Sequence, residues 1–259
     1  MTRRRFPVGK TLLYGVMSLW ALTTIYPFIW VILNSFKPRG LIRSDTFSLP
    51  IGDKFTLENY VTAFKRVDIG TAYVNSIVIS GAVTVVVMVL AGLAAYAMVR
   101  YSFRLRGFLH SMIIASMMFP VFSTIIPVFR MESSWGIVNT GSIWLTRLSV
   151  VLPQIAGNLS FAIIVLMGFI RSLPVDLEEA AYLEGYNVYQ IFFRIIMPLA
   201  KPSFATVGIF TFLWSYNDLF LQMFFLRSKK FFTITRLLNE ISSQAGTNYG
   251  LMVAAVVMV

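Results

Sequence analysis

"EEAAYLEGYNVYQIFFRIIMPLAKP", residues 178–202, is a charged island in an oily chain. Asp176, Glu178, Glu179 and Glu184 lie within nine positions, although the whole 259-residue chain holds 11 acidic residues. Hydrophobic residues make up 57% of the chain and charged ones 13%, with a mean hydropathy of +0.75. That leaves too little polar surface to cover a water-soluble globule. Outward from the island, apolar runs of about 20 residues recur, long enough to cross a hydrocarbon core about 30 Å thick. They predict spans over 11–35, 75–99, 108–129, 150–170 and 203–226, and the start of another near Tyr249. Leu251 to Val259 follow, a helical rise of about 14 Å, so a sixth span is expected to be cut short. Lipid cannot satisfy an exposed strand edge, which makes the spans helical. The expected fold class is all-α, a single polytopic transmembrane domain over 1–259.

Arg3, Arg4, Arg5 and Lys10 precede the first run, as in a signal peptide. That run continues for more than 20 residues without a small-residue cleavage site, so a retained span is expected. The chain has no cysteine, which excludes disulfides and thiolate metal sites. A net charge of +11 raises the question of nucleic acid, but the basic residues lie beside spans, where lipid headgroups and topology account for them. No nucleic-acid partner is expected. Total charge does not decide orientation, because an inside N-terminus places 10 of the 22 basic residues inside. The four in the first ten positions and the three in the short Arg100–Arg106 turn favour a cytoplasmic N-terminus. Residues 36–74 then form an external loop, with a helix capped by Thr56 near Glu58. "WGIVNTGSIWLTRL", in 130–149, reads as an interfacial amphipathic helix with Trp135 and Trp144 at headgroup depth. Residues 171–202 fall inside.

"VGKT", Val8–Thr11, matches only the tail of a phosphate-binding loop, since Arg4 stands where the first glycine belongs. No ATP site is expected in this chain. His110 is the sole histidine and has no cysteine or carboxylate nearby in sequence, so it reads as a packing or interfacial residue. Gln154, Asn158 and Ser160 interrupt the fourth span, and Ser215, Asn217 and Asp218 the fifth. Polar groups in spans face a bundle interior or a path. Asn158, Ser215, Asn217 and Asp218 suit a hydroxylated solute, and helix–helix hydrogen bonding accounts for them equally. Ala91 with Ala95, and Gly246 with Gly250, are small-residue pairs for close packing. Pro120 and Pro127 predict a kinked third span.

The charged island reads as two helices. Pro174 suits a first helical turn, and Asp176, Glu178 and Glu179 are favoured there by the helix dipole. Ala180, Ala181, Leu183 and Glu184 continue the helix until Gly185 ends it in a left-handed cap. Asn187 caps a second helix whose Ile191, Phe192, Ile195 and Ile196 share a face, and Pro198 stops it. The acids face water or a partner. A solvated hairpin on the membrane accounts for the same residues.

"LPVDLEEAAYLEGYNVYQIFFRIIMPLAKP", 173–202, resembles the cytoplasmic loop of permease subunits of ABC importers. Glu179, Ala180 and Ala181 match its E-A-A, followed by Gly185, Ile195 and Pro198 at the family spacing. "ILNSFKP", "TLENY", "NSIVIS", "AAYAMVRYSF", "WGIVNT" and "YND" resemble the carbohydrate-uptake branch, in particular its smaller maltose-permease-like subunit, over nearly the whole chain. Glu184, Met197 and Tyr216 depart from the usual Asp, Leu and Trp. The resemblance implies a six-helix permease of a bacterial cell membrane, without catalytic residues or cofactors of its own. It further implies that Glu178, Glu179, Ala180, Ala181, Glu184, Gly185, Ile195 and Pro198 dock an ATPase dimer that binds ATP and Mg. A second homologous permease, an extracytoplasmic solute-binding protein and a sugar substrate complete the implied set. Two rival readings are half of an ion-gradient-driven transporter, and a membrane scaffold or sensor. The first calls for membrane-embedded ionisable pairs, where this sequence offers chiefly Asp218.

Overall fold

The computed structural model describes residues 8–66, 68–245 and 249–258, among which there is no β-strand. Arg3, Arg4, Arg5 and Gly246 lie outside them. The chain forms two compact units: Gly70–Arg236, and the residues up to Ile69 together with those from Leu237 onward.

In the terminal unit, α1 (Val8–Ser35) is apolar on all sides, and its Gly9–Ser35 stretch is long enough to cross a bilayer. It is followed by α2 (Arg39–Ser44) and α3 (Glu58–Arg66). The expected helix near Glu58 is therefore present, with Thr56 Oγ1 accepting the Glu58 N–H at 3.1 Å. "NSFKP" ties this region together where α1 ends. Asn59 donates its amide to the carbonyls of Ser35 and Lys37 at 3.0 and 2.8 Å, groups that the end of α1 leaves without helical partners. The fully buried Lys37 ammonium donates to the carbonyls of Asp45 and Thr46 at 3.0 and 2.8 Å. Burial lowers the Lys37 pKa, and the nearby Asp45 carboxylate opposes that shift.

The larger unit contains α4 (Ile69–Arg100) from Gly70 onward, α5 (Arg106–Ser116), α6 (Val121–Ser134) and α7 (Ile143–Ser172). Then come α8 (Asp176–Leu183), α9 (Val188–Leu199), α10 (Lys201–Asn217) and α11 (Leu219–Phe225). From there α12 (Ile234–Ala245) leads back to the terminal unit and α13 (Tyr249–Val257). The long helices α4 and α7 are apolar enough to span a bilayer, and α7 packs against α5, α6, α10 and α11.

Four expectations are corrected. The third span is not a kinked rod, because α5 and α6 meet at 104°. Pro120 is the cause: it has no N–H to donate and itself takes an extended conformation, with ψ 119, whereas Pro127 is accommodated inside α6. Residues 137–142 form a turn rather than an interfacial helix, because Gly136, Asn139 and Gly141 all take positive φ. Trp135 ends α6 and Trp144 opens α7. Pro198 does not stop the second helix. Its ring would meet the carbonyl of residue 194, which lies in the wider π turn Phe192–Ile196, and α9 runs on to Leu199. The chain turns instead at Ala200, by 81°. The fifth span breaks at Asp218, whose carboxylate accepts the Leu221 N–H at 3.2 Å and starts α11.

Close packing at Gly250 is testable. A β-carbon there would collide with Asn59 Oδ1 and stand 2.9 Å from Asn59 Cγ, and Asn59 is held by its two backbone bonds. Overpacking costs typically about 1–3 kcal/mol, more than the roughly 1 kcal/mol that alanine gains over glycine in a helix. Gly250→Ala is expected to lower the melting temperature of the detergent-purified protein, measured by differential scanning fluorimetry.

Candidate functional site

The 173–202 loop is built as two capped helices, and each cap follows from local sequence. At the end of α8, Gly185 takes φ +85, with Tyr186 N–H donating to the Ala181 carbonyl and Gly185 N–H to the Tyr182 carbonyl, each at 3.0 Å. This is the Schellman arrangement that a glycine allows at no steric cost. At the start of α9, Asn187 and Gln190 exchange side-chain-to-backbone bonds, both at 2.9 Å, as a capping box.

What orients the hairpin is α4. Glu178 is buried, contrary to the expectation that the acids of the first turn face water or a partner. Its Oε1 accepts from Arg100 Nε at 2.5 Å and its Oε2 from the Tyr96 hydroxyl at 2.8 Å. Arg100 Nη2 also donates to the Leu173 carbonyl at 2.9 Å, so one guanidinium holds both the end of α7 and the first turn of α8. Burial there is tolerable because the carboxylate has a cation, a phenol and the positive end of a helix around it. The Tyr182 hydroxyl lies 3.0 Å from that of Tyr101, and this hydrogen bond raises the Tyr182 pKa.

Behind the hairpin, α4 carries Ala91, Gly92 and Ala95, and both alanines are fully buried. A β-carbon on Gly92 would stand 2.8 Å from the Phe204 ring and 3.0 Å from that of Phe192. Gly92 thus lets α9 and α10 approach α4 closely. Ala181 and Phe192 point into this packing, with Ile195 half-buried. Glu179, Ala180, Glu184, Gly185 and Pro198 are exposed, and Leu183 is 91% exposed at the tip. Arg100, a topological charge by its place in the sequence, is with Tyr96 the anchor of the hairpin. Its one signal was a basic residue closing a long apolar helix.

The second predicted cluster splits. Ser215 donates to Gln154 Oε1 at 2.6 Å and lies 3.2 Å from Ser80 Oγ, while Gln154 Nε2 donates to Asp218 Oδ2 at 3.1 Å. The Ser215 carbonyl, near the end of α10, accepts from Gln222 Nε2 at 3.1 Å. These groups join α4, α7, α10 and α11. Asn158 and Asn217 instead donate to carbonyls of their own helices, those of Gln154 at 2.7 Å and Leu213 at 2.8 Å. His110 is half-buried, and the described residues hold no group of three His, Cys, Asp or Glu able to bind a metal.

Residues 87–259 match the family described as binding-protein-dependent transport system inner membrane component. The diacetylchitobiose uptake system permease protein NgcG of Streptomyces coelicolor is 33% identical over 247 residues, covering 95% of this chain and 79% of its own. The melibiose/raffinose/stachyose import permease protein MelC of Bacillus subtilis is 29% identical over 233 residues, covering 90% and 81%. A crystal structure of a bacterial ABC transporter involved in alginate import superposes with a TM-score of 0.82 at 22% identity, over 100% of this chain and 93% of that one.

Removing one member of a buried ion pair costs about 3–5 kcal/mol, whereas replacing both by apolar residues is often neutral. Arg100→Met is therefore expected to lower the melting temperature strongly, and Arg100→Met with Glu178→Leu to recover most of the loss. A double-mutant cycle by thermal unfolding measures the coupling.

Proposed function

Because the chain belongs to the binding-protein-dependent transport system inner membrane component family, whose members include multi-pass permeases of ABC importers, we propose that the α8–Gly185–α9 hairpin is its contact with a separate ATPase subunit. The observation that carries this reading is the division of the first turn of α8. Glu178 is buried and anchored to α4, while Glu179, Glu184 and the nearly bare Leu183 stand outward. A rigid base with an exposed apolar tip and flanking carboxylates suits insertion into a cleft of a partner, and force on the tip passes to α4 and α7 through Arg100.

The hairpin then lies in the cytoplasm; the four basic residues among the first ten support a cytoplasmic N-terminus as well, and the 36–74 loop is assigned to the outside, for an extracytoplasmic solute-binding protein. A second, homologous permease completes the path, and the ATPase dimer binds ATP and Mg. The substrate we assign is a sugar, supported by relatives named for diacetylchitobiose and for melibiose, raffinose and stachyose. Asn158 and Asn217, whose amides bond within their own helices, are the residues we place along the solute path, and Ser215 and Asp218 serve the Gln154 network.

A β-branched residue held at the positive φ of Gly185 costs on the order of 1–3 kcal/mol, and a β-carbon there meets no neighbour within 4 Å. The effect is therefore on hairpin geometry rather than on packing. In the reconstituted importer, Gly185→Val and Glu179→Lys are each expected to lower substrate-stimulated ATP hydrolysis by roughly tenfold. Unchanged stimulation in both variants would place the ATPase contact elsewhere.

A further inference from the structure

A cavity of about 450 Å³ opens where α5 and α6 bend against α7, lined by Ser116, Thr124, Glu132, Trp135, Gly157 and Ser160 among others. That volume is typical of small-molecule sites, which surround a few placed polar groups with apolar walls. Glu132 is 1% exposed, and its Oε2 has no hydrogen-bond partner among the described residues. No basic side chain pairs with it among the described residues. Native structures rarely leave a buried carboxylate oxygen without a donor.

The surrounding hydroxyls offer it none. Ser116 donates to the Ile113 carbonyl at 2.8 Å, and Thr124 to the Val121 carbonyl at 2.7 Å. Ser160 Oγ lies 2.5 Å from Ser116 Oγ, whose proton is already engaged, so Ser160 is the donor of that bond. Each hydroxyl has spent its one proton on the protein and keeps lone pairs to offer. Together with the carboxylate they form a set of acceptors, which calls for a ligand rich in donors. Trp135, 57% exposed at the rim, adds an aromatic face and an indole N–H. A sugar answers all of these: hydroxyl donors for the carboxylate and the serine and threonine oxygens, and a C–H face for the indole. A metal ion is not answered, since no cluster of three ligating side chains occurs among the described residues.

From this acceptor-lined cavity we infer a carbohydrate-binding site on this chain, with Glu132 taking two sugar hydroxyls and Trp135 stacking on the ring. It deepens the transport reading above and rests on it, and it adds a solute site on α6 and α7 to a path that already includes Asn158 and Asn217.

Gly157 supplies a clean probe, since it lines the cavity and a β-carbon there meets no atom within 4 Å, so that a leucine side chain starts from open space. The full chain in lipid nanodiscs is titrated with radiolabelled diacetylchitobiose, melibiose, lactose and trehalose. Saturable binding of at least one is expected, weakened roughly tenfold or more by Glu132→Gln, which puts an amide donor where a carboxyl oxygen accepts, and abolished by Gly157→Leu at an unchanged melting temperature. No saturable binding to the wild type, or undiminished binding to Gly157→Leu, overturns the proposal. Cellular sugar uptake separates the two readings. If it depends on the chain while the cavity binds nothing, only the site falls; if it does not depend on the chain, the transport reading falls as well.

Discussion

Every backbone carbonyl released by a broken helix must find a donor inside the protein, because lipid supplies none. That constraint organises this chain more than any single apolar contact. Where α1 ends, Asn59 donates to Ser35 and Lys37. Beyond α11, Asn75 donates to Lys230 and Phe232, and Ser76 accepts the N–H that opens α12. Near the end of α10, Gln154 and Gln222 converge on Ser215. Amides are suited to the task, since one group both donates and accepts and carries no charge to desolvate. The polar residues scattered through apolar runs are thus largely the means by which those runs can break and turn.

One helix bears most of the consequences. From α4, Asn75 clasps the strand-free segment at 230–232, Ser80 meets Ser215, Gly92 admits two aromatic rings, and Tyr96 and Arg100 fix the first turn of α8. Its small residues, Ala91, Gly92 and Ala95, let neighbours approach closely enough for dispersion and hydrogen bonding to act without a hydrophobic driving force. The α8–α9 hairpin is therefore anchored on a long helix rather than on a loop.

Local signals in the sequence are enough to set several of its elements. The left-handed Gly185, the Asn187 cap, the acids of the first turn and the helix at Glu58 all follow from groups within a few residues of one another. Length and apolarity sufficed for α1, α4 and α7. Proline has opposite outcomes at two positions. Pro198 lies within a helix because a π turn makes room for it, while Pro120 breaks its span outright. The interfacial helix failed because three positive-φ residues, Gly136, Asn139 and Gly141, compete with an apolar pattern that composition alone favours.

What the sequence by itself determined is therefore the class of the molecule, an all-α membrane chain with a capped hairpin between spans, because composition and capping act over a turn or two. Only the tertiary structure decided which polar groups serve the fold and which are left over. Glu178 and Glu179 are adjacent acids of one helical turn, yet the first is buried on Arg100 and Tyr96 and the second is exposed. Glu132, unremarked in the sequence, is the carboxylate left with an unpartnered oxygen beside a cavity. The difference lies in partners 78 and 82 residues away in the chain for Glu178, and in the lack of a donor to Glu132 Oε2 among the described residues: the worth of a buried carboxylate is set by what surrounds it in space, and no local pattern records that.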